Sequence, residues 1–113
     1  MLRNKVNKEE GANLENQEII MGIIIHGGNA RSSAMRAIAE AKNGNFEAAE
    51  KLMEESKAEL NKAHRVQTDL IQAESRGEKT EISLLMVHAQ DHFMNAMTVR
   101  ELSVEIIELI KKL

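Results

Sequence analysis

The chain has 113 residues and contains no proline or cysteine, seven methionines and only 2 % aromatic residues, so it is one domain of helix-forming composition without disulfides or thiolate chemistry. Its formal net charge is −3, and the lack of a basic block or of stacking aromatics argues against nucleic acid as a partner. Because no apolar stretch is long enough for a bilayer and no signal-peptide pattern is present, the expected location is cytoplasmic.

Residues 1–13 come first in chain order and mix charges with amides without apolar periodicity, which predicts a flexible N-terminal arm. Residues 14–113 are then expected to form a single domain. Its first helix is predicted from about Leu14 to Lys42, with one seam of small and apolar residues at steps of three and four. The seam consists of Ile20, Ile23, Gly27, Ala30, Ala34, Ala37 and Ala41. Residues this small predict that another helix backbone approaches closely.

The second helix is predicted to follow "KNGN", in which Gly44 ends the first helix and Asn45 caps the next. It is expected to end at the polar turn around Gly77. Its predicted core seam consists of Phe46, Ala49, Met53, Ser56, Leu60, Ala63, Gln67 and Leu70.

The third helix is predicted to be capped by Thr80 and to continue to the C-terminus. Its predicted core seam consists of Ile82, Leu85, Ala89, His92, Ala96, Val99, Ser103, Ile106, Ile110 and Leu113. A second seam on another face consists of Leu84, Val87, Asp91, Met94, Thr98 and Leu102. A helix that is apolar on so much of its circumference must pack against other helices on several sides, and the two other helices of a monomer can bury only part of its apolar surface. The sequence therefore predicts an all-α antiparallel three-helix bundle that associates with further copies of itself.

Asp91 interrupts the second seam at the position where copies of the chain should meet. Carboxylates brought together there must be protonated, paired with a base or bridged by a cation. In a cyclic oligomer, a hard divalent ion held on the axis by carboxylate oxygens satisfies this requirement. The alternative is an aspartate at the wet rim of the bundle, which needs no ion.

Two histidines lie one helical turn apart in "LLMVHAQDHF", residues 84 to 93. His88 falls between the two seams, in a cleft position, where an unprotonated imidazole can attack a phosphoryl donor. His92 falls on the core seam and is expected to orient the site through hydrogen bonds, with Gln90 close by. A purely structural histidine is the alternative for His88. A zinc site on His88 and His92 is a further alternative, although HExxH spacing and a third ligand are lacking.

The runs "LLMVHAQDHFM", "GNARSSAM" and "AHRVQTDLI" together resemble the enzyme IIA component of the lactose/cellobiose (diacetylchitobiose) class of the bacterial phosphoenolpyruvate-dependent sugar phosphotransferase system. The resemblance extends from about Glu18 to the end of the chain. It implies a cytoplasmic homotrimer of three-helix subunits, a nine-helix assembly. Phe93 and Asn45 depart from the family pattern, in which leucine and aspartate are commoner, and neither departure falls on His88 or Asp91.

The same resemblance implies a role for each residue of the cluster. His88 accepts a phosphoryl group on Nε2 from the phosphocarrier HPr and passes it to the IIB component, while the membrane permease IIC is an indirect partner. Asp91 lies on the threefold axis with one divalent ion per trimer, expected to be Mg²⁺, and Gln90 and His92 lie beside the phosphorylated imidazole. The expected cargo of the pathway is a β-disaccharide of the cellobiose or chitobiose type rather than lactose. A non-catalytic helical bundle and a metal-binding adaptor stay as alternatives.

Overall fold

The computed structural model describes the backbone of residues 2–113 and the side chains of residues 16–113. Three helices follow one another: α1 (Leu2–Lys42), α2 (Phe46–Ser75) and α3 (Leu84–Lys111). No strand is present between residues 2 and 113, which confirms the all-α fold class. α1 begins before the expected Leu14. The predicted arm of residues 1–13 lies outside the described side chains and stays a prediction. None of the described helices combines the length and apolarity needed to cross a bilayer.

The turn between α1 and α2 contains Gly44, which has a φ of 80°. Glycine adopts this positive φ at little energetic cost because it has no Cβ. The Gly44 N–H donates to the Ala41 carbonyl and the Asn45 N–H to the Glu40 carbonyl, both at 2.9 Å, which satisfies the last carbonyls of α1. Asn45 holds the predicted N-cap position of α2. Its side chain makes no cap bond, however, and donates to Glu40 Oε2 at 2.9 Å instead.

The turn between α2 and α3 also uses a glycine, Gly77, with φ of 88°. The predicted start of α3 after Thr80 is wrong, since the helix begins only at Leu84. Ser83 is the actual cap, and its hydroxyl accepts a hydrogen bond of 3.1 Å from the Met86 N–H. A serine one residue before the helix satisfies an otherwise free donor of the first turn, which Thr80 is too distant to do.

The predicted seam of α1 is the centre of the molecule, and all seven of its residues are buried. α2 runs antiparallel to α1: the Ser56 hydroxyl donates to the Ala30 carbonyl at 2.7 Å, and Glu59, one turn later on α2, meets His26, one turn earlier on α1. α3 also packs on α1, so closely that a Cβ added to Gly27 would lie 3.5 Å from the Phe93 Cα. The small residues of α1 thus let both other helices approach its backbone.

The core face of α3 is only partly the predicted one. Its buried residues are Ala89, Phe93, Ala96, Ser103 and Ile107. Ile82 and Leu113, placed on the core seam by the sequence, are 82 % and 105 % exposed, and Ile106 is 40 % exposed. Ala89, Ala96 and Ser103 of the predicted seam stay buried, while Phe93 and Ile107 enter the core in place of His92 and Ile106. The core face is therefore turned by roughly half a residue relative to the expected seam.

Candidate functional site

His88 lies in the second turn of α3, and its residue is exposed. The helix has just been started by the Ser83 cap, so the imidazole is carried on a regular backbone rather than on a loop. Hydrogen bonding within the helix fixes the position of its Cα, while its ring stays open to solvent. The predicted cleft position is therefore compatible with access by a protein that docks from outside.

His92 lies one turn further along and is half-buried. Its ring centroid is 5.6 Å from that of His88, and the two ring planes are inclined by 33°. The inner edge of the His92 ring faces α1, since a Cβ added to Gly28 would lie 3.3 Å from His92 Nε2. The structure thus brings the two histidines of the predicted site together, one exposed and one lodged against α1.

Asp91 lies on an exposed apolar strip that we call the α3 stripe, formed by the predicted second seam. Within it, Leu84 is 86 %, Val87 53 %, Met94 50 % and Leu102 56 % exposed. The Asp91 carboxylate accepts a hydrogen bond of 3.4 Å from Asn95 Nδ2 and forms no ion pair among the described side chains. Large apolar side chains in such a continuous exposed row indicate a surface that another protein chain covers.

Gln90 is not beside His88 within the chain. It faces α2, where its Oε1 accepts a hydrogen bond of 2.6 Å from Gln67 Nε2. Two residues along a helix turn the side chain by about 200°, so Gln90 and His88 point to opposite sides of α3. If Gln90 supports the phosphorylated imidazole, it must do so across an interface between two chains.

The other two histidines have separate surroundings. His64 is exposed and meets the Phe93 ring edge to face, with centroids 6.0 Å apart. His26 pairs with Glu59, its Nδ1 lying 2.6 Å from the Oε2 of that carboxylate. The hydrogen bond from His26 lowers the pKa of Glu59, and Lys62 contributes to the same direction. No local pattern in the sequence indicates this pair, because its members are 33 residues apart.

Among the side chains of residues 16–113, no three His, Cys, Asp or Glu residues are grouped so that one chain can hold a metal ion. The zinc alternative built on His88, Asp91 and His92 therefore lacks a ligand set within a single chain. An ion shared by several copies of Asp91 is a different arrangement, which stays a prediction.

The fold and these residues define a small all-helical protein with a solvent-reachable histidine carried beside an apolar surface. Residues 18–111 match the family described as the lactose/cellobiose-specific IIA subunit of the phosphotransferase system. The chain is 60 % identical over 101 residues to the lichenan-specific phosphotransferase enzyme IIA component of Bacillus subtilis, an alignment that covers 89 % of this chain and 92 % of that protein. The chain thus belongs to the lactose/cellobiose-specific IIA family, as the sequence resemblance indicated.

Solved structures agree in fold. The cellobiose-specific enzyme IIA of Bacillus anthracis superposes with a TM-score of 0.82 at 54 % identity, covering 84 % of this chain and 87 % of that one. The IIA chain of the diacetylchitobiose branch of the Escherichia coli phosphotransferase system, solved in complex with HPr, gives a TM-score of 0.74 at 48 % identity, covering 85 % and 93 %. These similarities confirm the three-helix fold over 84–85 % of the chain.

Proposed function

We propose that this chain is a cytoplasmic phosphocarrier in which His88 accepts a phosphoryl group from HPr and passes it to a IIB component. The observation that carries the proposal is the exposed imidazole of His88 on α3, next to the apolar α3 stripe, in a chain of the IIA family. Two different proteins must reach the same nitrogen in turn. An exposed ring on a rigid helix suits this better than a deep pocket does.

The chemistry uses the imidazole as a nucleophile. The lone pair of unprotonated His88 Nε2 attacks phosphorus in line, a phosphorus–nitrogen bond forms, and the bond to the donor breaks with its electron pair leaving on the donor. In the second transfer, the IIB nucleophile attacks the same phosphorus and the imidazole leaves neutral. Negative charge on the equatorial oxygens requires hydrogen-bond donors, and the distance of 5.6 Å between the ring centroids of His88 and His92 supports His92 as one of them.

We further propose a homotrimer closed by the α3 stripe. In such a trimer, the exposed apolar side chains of the α3 stripe are buried against two other copies and are removed from water. The same packing brings Asp91 of each copy to the symmetry axis. The Asp91 carboxylate retains free lone pairs beyond its 3.4 Å contact with Asn95, and oxygen donors of this kind suit a hard divalent cation such as Mg²⁺. Bound there, the cation offsets the mutual repulsion of the three carboxylates.

The proposed partners follow from the family. HPr is supported as the donor by the complex in which the Escherichia coli relative was solved. The IIB component is the acceptor, and the membrane permease IIC is reached only through IIB. The names of the relatives, lichenan-specific and cellobiose-specific, favour a β-disaccharide of the cellobiose or chitobiose type over lactose as the transported sugar.

Incubation of the protein with phosphoenolpyruvate, enzyme I and HPr tests the assignment. We expect incorporation of phosphate that is labile in acid and stable in alkali, the behaviour of a phosphoramidate. His88→Gln should abolish it, whereas the matched variant His64→Gln, at an exposed histidine on α2, should be labelled like the wild type. Labelling of His88→Gln would remove His88 from the proposal, and an unlabelled wild type would favour a non-catalytic helical adaptor.

A further inference from the structure

Gly28 is half-buried within α1, far from either end of the helix. Glycine is unfavourable at such a position because it gives the unfolded chain extra freedom and contributes no packing. Its surroundings in the tertiary structure supply a reason for it. A Cβ at residue 28 would lie 3.3 Å from His92 Nε2, closer than an ordinary van der Waals contact, so an alanine there would require the imidazole to move by a few tenths of an ångström.

The other glycines of α1 between residues 16 and 42 have different neighbours. A Cβ at Gly22 would have nothing within 4 Å, and one at Gly27 would meet the backbone of Phe93 at an ordinary 3.5 Å. Gly27 therefore serves the packing of two helices, and Gly22 makes no contact that a methyl group disturbs. Gly28 alone among these three faces a side chain of the candidate site.

We propose that Gly28 is a positioning residue for phosphoryl transfer: by lacking a side chain, it lets the Nε2 edge of His92 rest against α1 and so holds the ring beside His88. The inference rests on the proposed function, in which His88 carries the phosphoryl group. The two rings are 5.6 Å apart between centroids and are separated by one helical turn. A shift of His92 therefore alters the immediate surroundings of the phosphorylated nitrogen without removing any functional group.

The test compares Gly28→Ala with Gly22→Ala in the full-length protein. Both changes add one methyl group to α1 and raise helix propensity equally, but only the first displaces His92. We expect phosphoryl transfer from phospho-HPr to slow about tenfold in Gly28→Ala, since small misplacements at a reacting centre are costly, and to stay at the wild-type rate in Gly22→Ala. The imidazole NMR chemical shifts of His92 should differ from those of the wild type in Gly28→Ala alone.

A double-mutant cycle with His92→Ala separates positioning from a general effect on the helix. Without the His92 ring there is nothing for the new methyl group to displace, so adding Gly28→Ala to that background should slow transfer no further. If Gly28→Ala does not fold, recovery of folding in the double variant supports the proposal, and continued failure to fold overturns it.

Two results would refute the role of Gly28: an unchanged transfer rate and unchanged His92 signals in Gly28→Ala, or an equal slowing with and without the His92 ring. A wild-type protein that accepts no phosphoryl group would instead refute the proposed function. The NMR signals of His92 distinguish these failures, because they report the seating of the ring whether or not transfer occurs.

Discussion

Gln67 on α2 donates a hydrogen bond of 2.6 Å to Gln90 on α3, and both side chains are half-buried. α2 and α3 pack mainly on α1 and contact one another much less. The bond between Gln67 and Gln90 is therefore a direct polar link between two helices that share few other contacts. Gln90 is also a residue that we expect beside the phosphorylated imidazole of another copy.

Gln67→Ala should lower the free energy of unfolding by about 1 kcal/mol, because it leaves the Gln90 amide oxygen without its partner. Urea denaturation followed by circular dichroism measures the change. Gln72→Ala is the matched control, since Gln72 is exposed on the same helix. Equal stabilities of the two variants would mean that the bond between Gln67 and Gln90 adds nothing to folding.

Phe93 is the largest fully buried side chain of the described core, at 0 % exposure. Phe93→Ala should destabilise the fold by about 3–5 kcal/mol through the lost burial and the cavity that forms. Phe93→Leu should cost less than about 1.5 kcal/mol because the core can repack around a similar volume. Thermal unfolding of the two variants tests the difference, and similar losses in both would contradict it.

Glu59 should make stability depend on pH. Its pKa is lowered in the folded protein, first by the hydrogen bond from His26, so its ionised form is favoured by folding. The resulting stability is complete above the ordinary pKa of 4.5 and is lost as the pH falls through the lower, folded-state value. The wild type should therefore exceed Glu59→Gln in unfolding free energy at pH 7, by at most about 1 kcal/mol for a partly exposed pair.

Unfolding measured between pH 7 and pH 3 tests this dependence, and the advantage of the wild type should shrink towards the acid end. Glu55→Gln, at an exposed glutamate one turn earlier on α2, is the control and should show no comparable trend. An advantage for the wild type that grows on acidification would contradict the assigned direction of the pKa shift.

Asp91→Leu should give a trimer that no longer needs a metal ion and is no less stable. The substitution continues the apolar α3 stripe and removes the carboxylates that repel one another at the proposed axis. Sedimentation analysis with and without a chelator measures the oligomeric state. Dissociation of the variant into monomers would show that Asp91 makes attractive contacts and would move it away from the axis.

The sequence by itself determined the three helices, the two glycine turns and the centre of the bundle. All of the predicted α1 seam is buried, from Ile20 to Ala41, because a regular row of small and apolar residues at helical spacing lets two other helices pack closely along it. The two turns could also be predicted from the sequence, because Gly44 and Gly77 have positive φ values that few other residues adopt. The pairing of His88 and His92 could be predicted as well, because residues one helical turn apart lie next to each other on the same helix.

Only the tertiary structure decided which face of α3 enters the core. That helix is apolar on several sides, so hydropathy does not distinguish Phe93 and Ile107, which are buried, from Ile106, which is 40 % exposed. The choice is made by the close approach of α1 at Gly27, where the Phe93 backbone fits. The lodging of His92 against Gly28 and the pairing of His26 with Glu59 likewise depend on helix packing, because contacts between residues distant in sequence leave no periodic signal along the chain.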